Sequence, residues 1–252
     1  MSKRGVLGLI PARYASSRFP GKPLADIGGK LMIERVYEQC AKALGYVCVA
    51  TDDSRIAEAV VKFGGRVVMT SGKHRSGTDR CAEAVSLVEA EDGRNYDVVL
   101  NIQGDEPFIK PEQVQLLASA FDDDEVEIAT LVKKCEREDD LFNPNKPKVV
   151  VGGSGNALYF SRQAIPYLRG VEQGEWLKKQ TFYNHIGLYG YRTAVLHELI
   201  KLQSGVLEKA ESLEQLRWLE AGYPIRVLET TLESLSIDTP EDLESLRQRG
   251  LL

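Results

Sequence analysis

The chain has 252 residues, of which 43% are hydrophobic and 27% are charged. This length and composition predict a globular protein with a substantial core, organised as one large α/β domain or two small ones, and exclude a disordered chain. The formal net charge of -5 argues against a general nucleic-acid-binding protein, which needs a basic face, but is compatible with a local basic site for one small anion.

Four cysteines are scattered through the chain, and no two have the C-x-x-C spacing of a metal or redox motif. We therefore expect reduced thiols, mostly in the core, rather than a disulfide framework. No apolar stretch approaches the roughly 18–20 residues that a membrane helix needs, and the basic N-terminus lacks the features of a signal peptide. The sequence predicts a soluble, cytoplasmic protein.

Short apolar runs alternate with segments of helical periodicity in the first half of the chain. Strands are predicted at 6–10, 46–50, 66–69 and 97–102. Helices are predicted at 31–44, at 54–63 with Ser54 as N-cap, from Thr78 or Asp79 to 90, and from Pro111 to about 121. This alternation predicts a mostly parallel, doubly wound sheet, whose ligands bind beyond the carboxyl ends of its strands.

The second half contains more strands and fewer helices between them. Strands are predicted at 128–132, 148–151, 157–161 and 185–191, and loops at 143–147 and 169–179. Helices are predicted at 194–202, 212–220 and 239–249, the last of which opens with a cap followed by Pro240. A smaller, more antiparallel region is therefore expected after the parallel sheet.

The segment PARYASSRFPGKP, residues 11–23, follows the first predicted strand and carries three cations, Arg13, Arg18 and Lys22. Guanidinium groups bind phosphate oxygens as a fork, and an ammonium group acts as a compact charge, so this loop could hold a polyphosphate. It has neither the Walker A spacing nor a G-x-G-x-x-G fingerprint. A solvated surface turn with salt bridges is the alternative interpretation.

Two acidic residues stand where a metal could bind. Asp105 directly follows the fourth predicted strand, and Asp238 precedes the last predicted helix. Mg²⁺ typically takes one or two protein carboxylates and completes its shell with water and substrate phosphate. For Asp238, a simple N-cap is an equally available interpretation.

The three histidines have neither H-x-x-x-H nor H-E-x-x-H spacing, so a zinc site is not expected. His197 lies within a predicted helix and is expected to be structural. His185 begins a predicted apolar strand, where it could contact a ligand or be a core residue.

Taken together, these segments resemble the 3-deoxy-manno-octulosonate (Kdo) cytidylyltransferase family, the CMP-Kdo synthetases. The matching stretches occur in order along nearly the whole chain. They are IPARYASSRFPGKPL (10–24), VATDD (49–53), HRSGTDR (74–80), NIQGDEPFI (101–109), NPNKPKVV (143–150), ALYFSRQAIPY (157–167), HIGLYGYR (185–192), LEQLRWLE (213–220) and IDTPEDLE (237–244).

The resemblance implies a fold of the sugar nucleotidyltransferase type in a single domain, 1–252, with a sugar-binding and dimerisation lobe at about 133–193. It implies that the chain couples CTP and Kdo to give CMP-Kdo and pyrophosphate for lipopolysaccharide assembly, with Mg²⁺ as cofactor and a homodimer as the assembly. The anomeric C2 hydroxyl of Kdo would attack the α-phosphorus of CTP.

Site roles follow from the resemblance residue by residue. The CTP phosphates would be bound by Arg13, Ser16, Arg18 and Lys22, and the cytidine would be bordered by Ser76, Gly77, Arg80 and Gln103. Asp105 and Asp238 would hold the metal and, with Lys22, act in catalysis. The sugar would be contacted by Arg162, His185, Tyr189, Glu214 and Gln215, with Arg162 as the partner of its carboxylate. The sequence ETTLESLS before Asp238 departs from the Gly-containing sequence of many relatives.

Three other functions are considered beside this one. A CMP-sugar synthetase for sialic acid or 8-amino-Kdo would share the fold and the chemistry. A metal-dependent glycosyltransferase would usually lack the basic loop at 11–23, and a noncatalytic nucleotide-binding protein would not need both acidic residues together with a polar sugar pocket. Pyrophosphate release on mixing CTP with a sugar separates the last two from the cytidylyltransferases.

Overall fold

The structure is a computed structural model, and it describes residues 5–15, 19–233, 237 and 239–248. In this part of the chain a nine-stranded mixed sheet is flanked by helices. The strands are β1 Val6–Ala12, β2 Val47–Thr51, β3 Val67–Met69, β4 Val98–Asn101, β5 Ile128–Lys134, β6 Lys148–Val151, β7 Ala157–Ser161, β8 Tyr183–Arg192 and β9 Ile225–Glu229. The helices are α1 Met32–Ala43, α2 Ser54–Lys62, α3 Gly77–Asp92, α4 Pro111–Ser119, α5 Glu138–Leu141, α6 Trp176–Lys179, α7 Thr193–Leu199, α8 Val206–Glu211, α9 Gln215–Glu220 and α10 Pro240–Gln248.

The first four strands form the parallel half of the sheet. β1 lies between β2 and β4, β3 pairs with β2, and all three pairings are parallel. Side chains alternate between two helical layers, as β1 illustrates. Leu7 and Leu9 enter the core beside α3, whereas Ile10 enters the core beside α1 and α2. Parallel strands covered on both faces read as continuous apolar runs, which is why this half was predictable as a doubly wound sheet.

The other half of the sheet is built around β8, a strand of ten residues. It pairs antiparallel with β4 and β5, and its first residues also pair antiparallel with β6, which forms a hairpin-like pair with β7. β9 adds a parallel strand on the far side of β5. The fold class is confirmed: an α/β protein whose mostly parallel sheet continues into a mixed region.

The pairing of β5 with β8 contains a bulge. Thr130 lies opposite Tyr189, but the next residue, Leu131, lies opposite Ile186. Gly187 and Leu188 therefore have no partner on β5. A bulge of this kind redirects side chains next to it, and bulges are frequent beside functional sites.

Two predicted helix starts differ from the structure, and the cap predicted directly before Pro240 is confirmed. Asp53, not Ser54, caps α2, because its carboxylate accepts the backbone N–H of Arg55 at 3.0 Å. α3 starts at Gly77, with Ser76 rather than Thr78 or Asp79 as its N-cap and Asp79 as the reciprocal partner of a capping box. Before α10, Thr239 and Asp242 exchange backbone-to-side-chain hydrogen bonds of 2.9 and 3.2 Å, so Thr239 is the cap.

Other elements were mispredicted in the second half of the chain. β9, α5 and α8 were not predicted. The helix expected at 212–220 is present only as α9, because Ser212, which has a φ of 52°, ends α8 before it. The stretch 169–179, expected to be a loop, includes α6. Its Trp176 is buried and packs with Cys135, Leu141 and Phe182 in a small core of its own. That core lies inside the range 133–193, whose role as a sugar-binding and dimerisation lobe stays a prediction.

No helix in the described residues is both long enough and apolar enough to cross a membrane.

Candidate active site

A cleft of about 330 Å³ opens beyond the carboxyl ends of β1 and β4, beside the N-terminus of α3. It lies where a doubly wound sheet binds its ligands. Its lining comprises Pro11, Ala12, Arg13, Lys22, Pro23, His74, Arg75, Ser76, Gly77, Arg80, Gln103, Gly104 and Asp105. Seven residues for which the sequence predicted a role are thus brought together here: Arg13, Lys22, Ser76, Gly77, Arg80, Gln103 and Asp105.

Lys22 and Asp105 meet across this cleft. The ammonium nitrogen of Lys22 lies 2.7 Å from Oδ2 of Asp105, and the lysine side chain is only 11% exposed. A short 3-10 turn, Lys22–Leu24, positions the lysine, and it begins after Gly21, whose φ of 73° favours glycine. A Cβ atom at Gly21 would also come within 3.1 Å of the ring of Tyr14. The turn therefore fixes a positive charge directly beside the carboxylate.

The loop after β4 approaches the end of β1 very closely. A Cβ atom at Gly104 would lie 3.0 Å from the carbonyl oxygen of Pro11, so a larger residue would push the two loops apart. On its other side, the carbonyl oxygen of Asp105 accepts the backbone N–H of Ile237 at 3.0 Å. This hydrogen bond brings the residue before Asp238 to the metal candidate Asp105. Asp238 itself, like Ser16 and Arg18, lies outside the described residues.

Arg80 forms the floor of the cleft on the α3 side. The residue is only 4% exposed, and its guanidinium donates to Oγ1 of Thr70 at 2.6 Å and lies 3.4 Å from Oδ1 of Asp52. Thr70 and Asp52 follow β3 and β2, so two strand ends and α3 converge at this point. A buried guanidinium held in this way is preorganised for an anionic or polar ligand.

His74 and Arg75 also line the cleft, although sequence reasoning gave neither a role. Nε2 of His74 contacts Oε2 of Glu83, which also accepts the backbone N–H of Ser71 at 2.8 Å. The hydrogen bond from His74 lowers the pKa of Glu83. His74 and Arg75 both belong to the segment HRSGTDR that carried the family resemblance. That segment was the signal that could have identified them as residues of the cleft.

Four of the five predicted sugar residues gather behind the α3 N-terminus rather than in the lining of the cleft itself. His185 and Tyr189 lie on β8, and Glu214 and Gln215 lie at the start of α9. Thr78, in the first turn of α3, donates to Oε2 of Glu214 at 2.6 Å and so connects this group to the cleft. We call His185, Tyr189, Glu214 and Gln215 the inner polar cluster.

In the inner polar cluster, Tyr189 and Gln215 are buried, whereas His185 and Glu214 are half-buried. Burial lowers the pKa of His185 to about 3 and raises the pKa of Glu214 and, well above its usual value, that of Tyr189. By distance and angle, the buried Tyr189 hydroxyl and the buried Gln215 side-chain amide nitrogen have no hydrogen-bond partner in the described part of the chain, although the nearby Thr130 side chain partly offsets the rise in the pKa of Tyr189. Since native proteins rarely leave buried polar groups unpaired, these two donors indicate a polar ligand.

The fifth predicted sugar residue, Arg162, is placed differently. Its guanidinium donates to three backbone carbonyls, those of Glu211 at 2.7 Å, Pro144 at 3.0 Å and Ser212 at 3.2 Å. These bonds fasten the 143–147 loop and the turn before α9 to the end of β7. The structure thus gives Arg162 an anchoring role, and its contact with a sugar carboxylate stays a prediction.

The residues of the cleft suit Mg²⁺. In the described residues no three His, Cys, Asp or Glu side chains gather to hold a metal. Mg²⁺ does not require such a cage, because it commonly takes one or two carboxylates and keeps its remaining positions for water and phosphate. The Asp105 carboxylate, at a strand end and open to a cleft lined by cationic side chains, is a donor of the required kind.

Comparisons with known proteins agree with this geometry. A family described as Cytidylyltransferase matches residues 7–237. The 3-deoxy-manno-octulosonate cytidylyltransferase of Parabacteroides distasonis is 60% identical over 242 residues, covering 94% of this chain and 95% of the relative. The enzyme of the same name from Porphyromonas gingivalis is 53% identical, with 98% of both chains covered.

Solved structures give the same result. A CMP:2-keto-3-deoxy-manno-octonic acid synthetase complexed with CTP superposes with a TM-score of 0.88 at 43% identity, covering 98% of both chains. A 4-diphosphocytidyl-2C-methyl-D-erythritol synthase from Anaerococcus prevotii, at 12% identity and a TM-score of 0.59, shares the fold. On this similarity of sequence and fold along its length, the chain belongs to the 3-deoxy-manno-octulosonate cytidylyltransferase family.

Proposed function

We propose that this protein transfers CMP from CTP to the anomeric C2 hydroxyl of Kdo, releasing pyrophosphate and forming CMP-Kdo for lipopolysaccharide biosynthesis. Family membership supports the reaction, and so does the relative solved with CTP. The observation that carries the proposal is the cleft in which Arg13, Lys22 and Asp105 meet the N-terminus of α3. Cations for a triphosphate and a carboxylate for a metal thus lie beside a separate cluster suited to a polyol.

In the proposed reaction, a bond forms between the C2 oxygen and the α-phosphorus, and the bond from that phosphorus to the bridging oxygen of the β-phosphate breaks. The C2 hydroxyl gives its proton to solvent water, and pyrophosphate leaves with the bonding electron pair. Phosphoryl transfer of this type needs little covalent help from the protein, so positioning and charge stabilisation dominate. Lys22 and Arg13 would balance the phosphate charge, and Arg80 and Gln103 would hold the nucleotide in line with the sugar.

We propose Mg²⁺ as the cofactor, held by Asp105 and Asp238. When bound, it would neutralise charge on the phosphates and lower the pKa of the attacking hydroxyl. Lys22, hydrogen-bonded to Asp105 at 2.7 Å, would hold that carboxylate oriented towards the cleft.

The inner polar cluster would select the sugar. A buried tyrosine hydroxyl, an amide nitrogen and a carboxylate offer the mixed donors and acceptors that a polyhydroxylated substrate requires. Synthetases for 8-amino-Kdo or sialic acid remain the alternative in this class, but relatives at 60% and 46% identity are named for 3-deoxy-manno-octulosonate. Ordinary Kdo is therefore the favoured substrate.

We also propose a homodimer formed through the 133–193 lobe. Leu158 is 64% exposed and Tyr167 is 73% exposed, and both lie in this range. Leu158 is on β7, which pairs with β6 alone among the described strands. An exposed apolar side chain on an edge strand is a natural contact for a second copy.

Sedimentation analysis should show a dimer, and the substitution Leu158→Glu should shift it towards monomer. The control is Val61→Glu, because Val61 on α2 is also exposed. An unchanged dimer would exclude this edge.

The experiment that tests the function measures pyrophosphate release with CTP and Mg²⁺ in the presence of Kdo, 8-amino-Kdo or sialic acid, with an EDTA control. Release with Kdo alone, abolished by EDTA, is the expected result. Binding of CTP without release in any mixture would leave a nucleotide-binding protein and overturn the proposed reaction. The cytoplasmic location expected from the sequence stays a prediction.

A further inference from the structure

Thr130 is a fully buried polar residue in the middle of β5, and no role for it follows from the reaction described above. Its hydroxyl oxygen lies 2.7 Å from the carbonyl oxygen of Leu188, 3.2 Å from that of Ile186 and 3.0 Å from Nε2 of His185. All three neighbours belong to the bulged part of β8. A single threonine side chain therefore touches both sides of the bulge and the imidazole beside it.

Only one assignment of donors and acceptors satisfies the three contacts of the Thr130 hydroxyl. Carbonyl oxygens only accept hydrogen bonds, and a hydroxyl has one proton to donate. That proton is committed to a carbonyl, with Leu188 the nearer at 2.7 Å. The threonine oxygen can then only accept from His185, so the ring proton must be on Nε2. A bare Nε2 would place three acceptors around one proton.

We propose that Thr130 is a positioning residue that fixes His185 in the Nε2-protonated tautomer, leaving Nδ1 as a hydrogen-bond acceptor for a hydroxyl of the sugar. The part of this inference that concerns the sugar rests on the proposed function. The imidazole is also held by its neighbours, because Phe160 packs edge-on at 5.1 Å and Tyr189 packs at 5.3 Å between ring centroids. The second nitrogen of a histidine commonly has its role set by the bond that the first one makes.

The charge of the surroundings agrees with a neutral ring. Burial lowers the pKa of His185 to about 3, so the imidazole carries one proton at neutral pH. The Tyr189 hydroxyl, on the same strand, is a buried donor without a partner in the described chain. A neutral acceptor on His185 and a neutral donor on Tyr189 would together match one or two hydroxyl groups of a polyol without requiring charge.

The bulge also connects this histidine to the cleft. The carbonyl of Gly187, between the two carbonyls that contact Thr130, accepts Nε2–H of Gln103 at 3.2 Å, and Gln103 lines the cleft. Gly187 and Leu188 have no partner on β5, and two side chains satisfy their carbonyl oxygens. Thr130 of β5 donates to Leu188, and Gln103 of the cleft donates to Gly187. Being β-branched, threonine has a stiff χ1 and holds its hydroxyl in one direction.

Long-range ¹H–¹⁵N correlation NMR of the ¹⁵N-labelled full-length protein tests the inference, since protonated and bare ring nitrogens have well-separated shifts. His185→Gln identifies the His185 signals among the three histidines. We expect a protonated Nε2 and a bare Nδ1 in the ligand-free wild type and in Thr130→Ser, and loss of this single tautomer in Thr130→Val. A wild-type ring protonated on Nδ1 would overturn the proposal without the need for any variant.

Steady-state kinetics gives the second measurement. Thr130→Val should raise KM for Kdo about tenfold through the lost hydrogen bond, with Thr130→Ser restoring most of it and KM for CTP unchanged. Thr193→Val is the matched control, because it also removes a threonine hydroxyl that donates to a backbone carbonyl, that of Tyr96 at 2.5 Å. This hydrogen bond lies just before the first residue of β4, at the end of that strand away from the cleft. It should alter neither KM nor the His185 signals.

An unchanged KM for Kdo in folded Thr130→Val would overturn the positioning role. Absence of any Kdo-dependent pyrophosphate release in the wild type would instead reject the proposed function, and the NMR spectrum would still decide where the ring proton lies.

Discussion

The cleft and the inner polar cluster lie side by side, but they differ in whether their polar groups have hydrogen-bond or ion-pair partners. In the cleft, charged groups are already paired, as Lys22 is with Asp105 and Arg80 is with Thr70. In the cluster, the Tyr189 hydroxyl and the Gln215 amide nitrogen are buried and lack partners in the described chain. Paired charges give a preorganised site for an anion, whereas unpaired neutral groups in a dry environment favour a ligand that brings its own hydroxyls.

The comparison predicts that the largest single loss comes from the charged side. Asp105→Asn keeps the shape of the residue but removes the carboxylate charge, so we expect kcat to fall at least ~10²-fold, as for other preorganised electrostatic partners. Pyrophosphate release measured against Mg²⁺ concentration checks this. Asp97→Asn is the matched control, since Asp97 immediately precedes β4 at its other end and is exposed. Near wild-type turnover in Asp105→Asn would remove Asp105 from the metal role.

An intermediate effect is expected on the neutral side. Tyr189→Phe removes a buried hydroxyl without a protein partner, so the free energy of unfolding of the free protein should stay the same or rise by about 1 kcal/mol. KM for Kdo should nevertheless rise about tenfold, because the variant cannot donate to the sugar. Urea unfolding and steady-state kinetics on one preparation separate the two effects. A loss of stability with unchanged KM would show that the hydroxyl is structural.

Thr78→Val sharpens the contrast within the same pocket. Its hydroxyl donates to Glu214 at 2.6 Å, so its removal leaves that half-buried carboxylate with one fewer donor. Unlike Tyr189→Phe, this variant should therefore unfold at lower urea concentration, by about 1 kcal/mol in free energy of unfolding. Equal stabilities of the two variants would contradict the distinction between paired and unpaired groups.

The last prediction concerns pH, whose effect is negligible at neutral pH and grows only in acid. His185 has a usual pKa of 6.5 that burial lowers to about 3. Above pH 6.5 the imidazole is neutral in both the folded and the unfolded protein. Below pH 6.5 the unfolded protein binds a second ring proton, whereas the folded protein binds it only near pH 3. The free energy of unfolding should therefore fall as pH drops through this window. Urea unfolding at pH 7 and pH 5 should show a smaller fall for His185→Gln than for the wild type. Equal falls would contradict a buried neutral imidazole.

The sequence was most informative where structure is local. β1, β2 and β4 are continuous apolar runs, and the carboxyl ends of such strands meet at one edge of a sheet. The polar residues that follow them, Arg13 and Asp105 among them, could therefore be assigned to a shared cleft from the sequence alone. The start of α3 was misjudged because Ser76 and Asp79 both cap well, and only the reciprocal hydrogen bonds decide between them. Roles for the individual site residues, and the ligand identities they imply, stay predictions.

Long-range contacts explain what could not be predicted. β9 is a strand because it pairs in parallel with β5, which is distant in the chain, and nothing in IRVLE alone requires that partner. Arg162 was assigned to a sugar carboxylate from the resemblance, whereas its guanidinium faces three backbone carbonyls that only the folded chain brings together. The bulge that places Thr130 beside His185 is likewise a property of strand pairing and not of periodicity.

The hydrogen bond from Ile237 to the carbonyl of Asp105 has a consequence for how the protein matures. It joins the loop after the fourth strand to a segment far along the chain, so it cannot form on the ribosome until that later segment has emerged. Contacts between such distant segments are also slow to form after release, because the intervening chain must already be folded. The first four strands can therefore begin to pair during synthesis, whereas the neighbourhood of Asp105 is completed only after Ile237 has been made, when all nine strands of the sheet are already available.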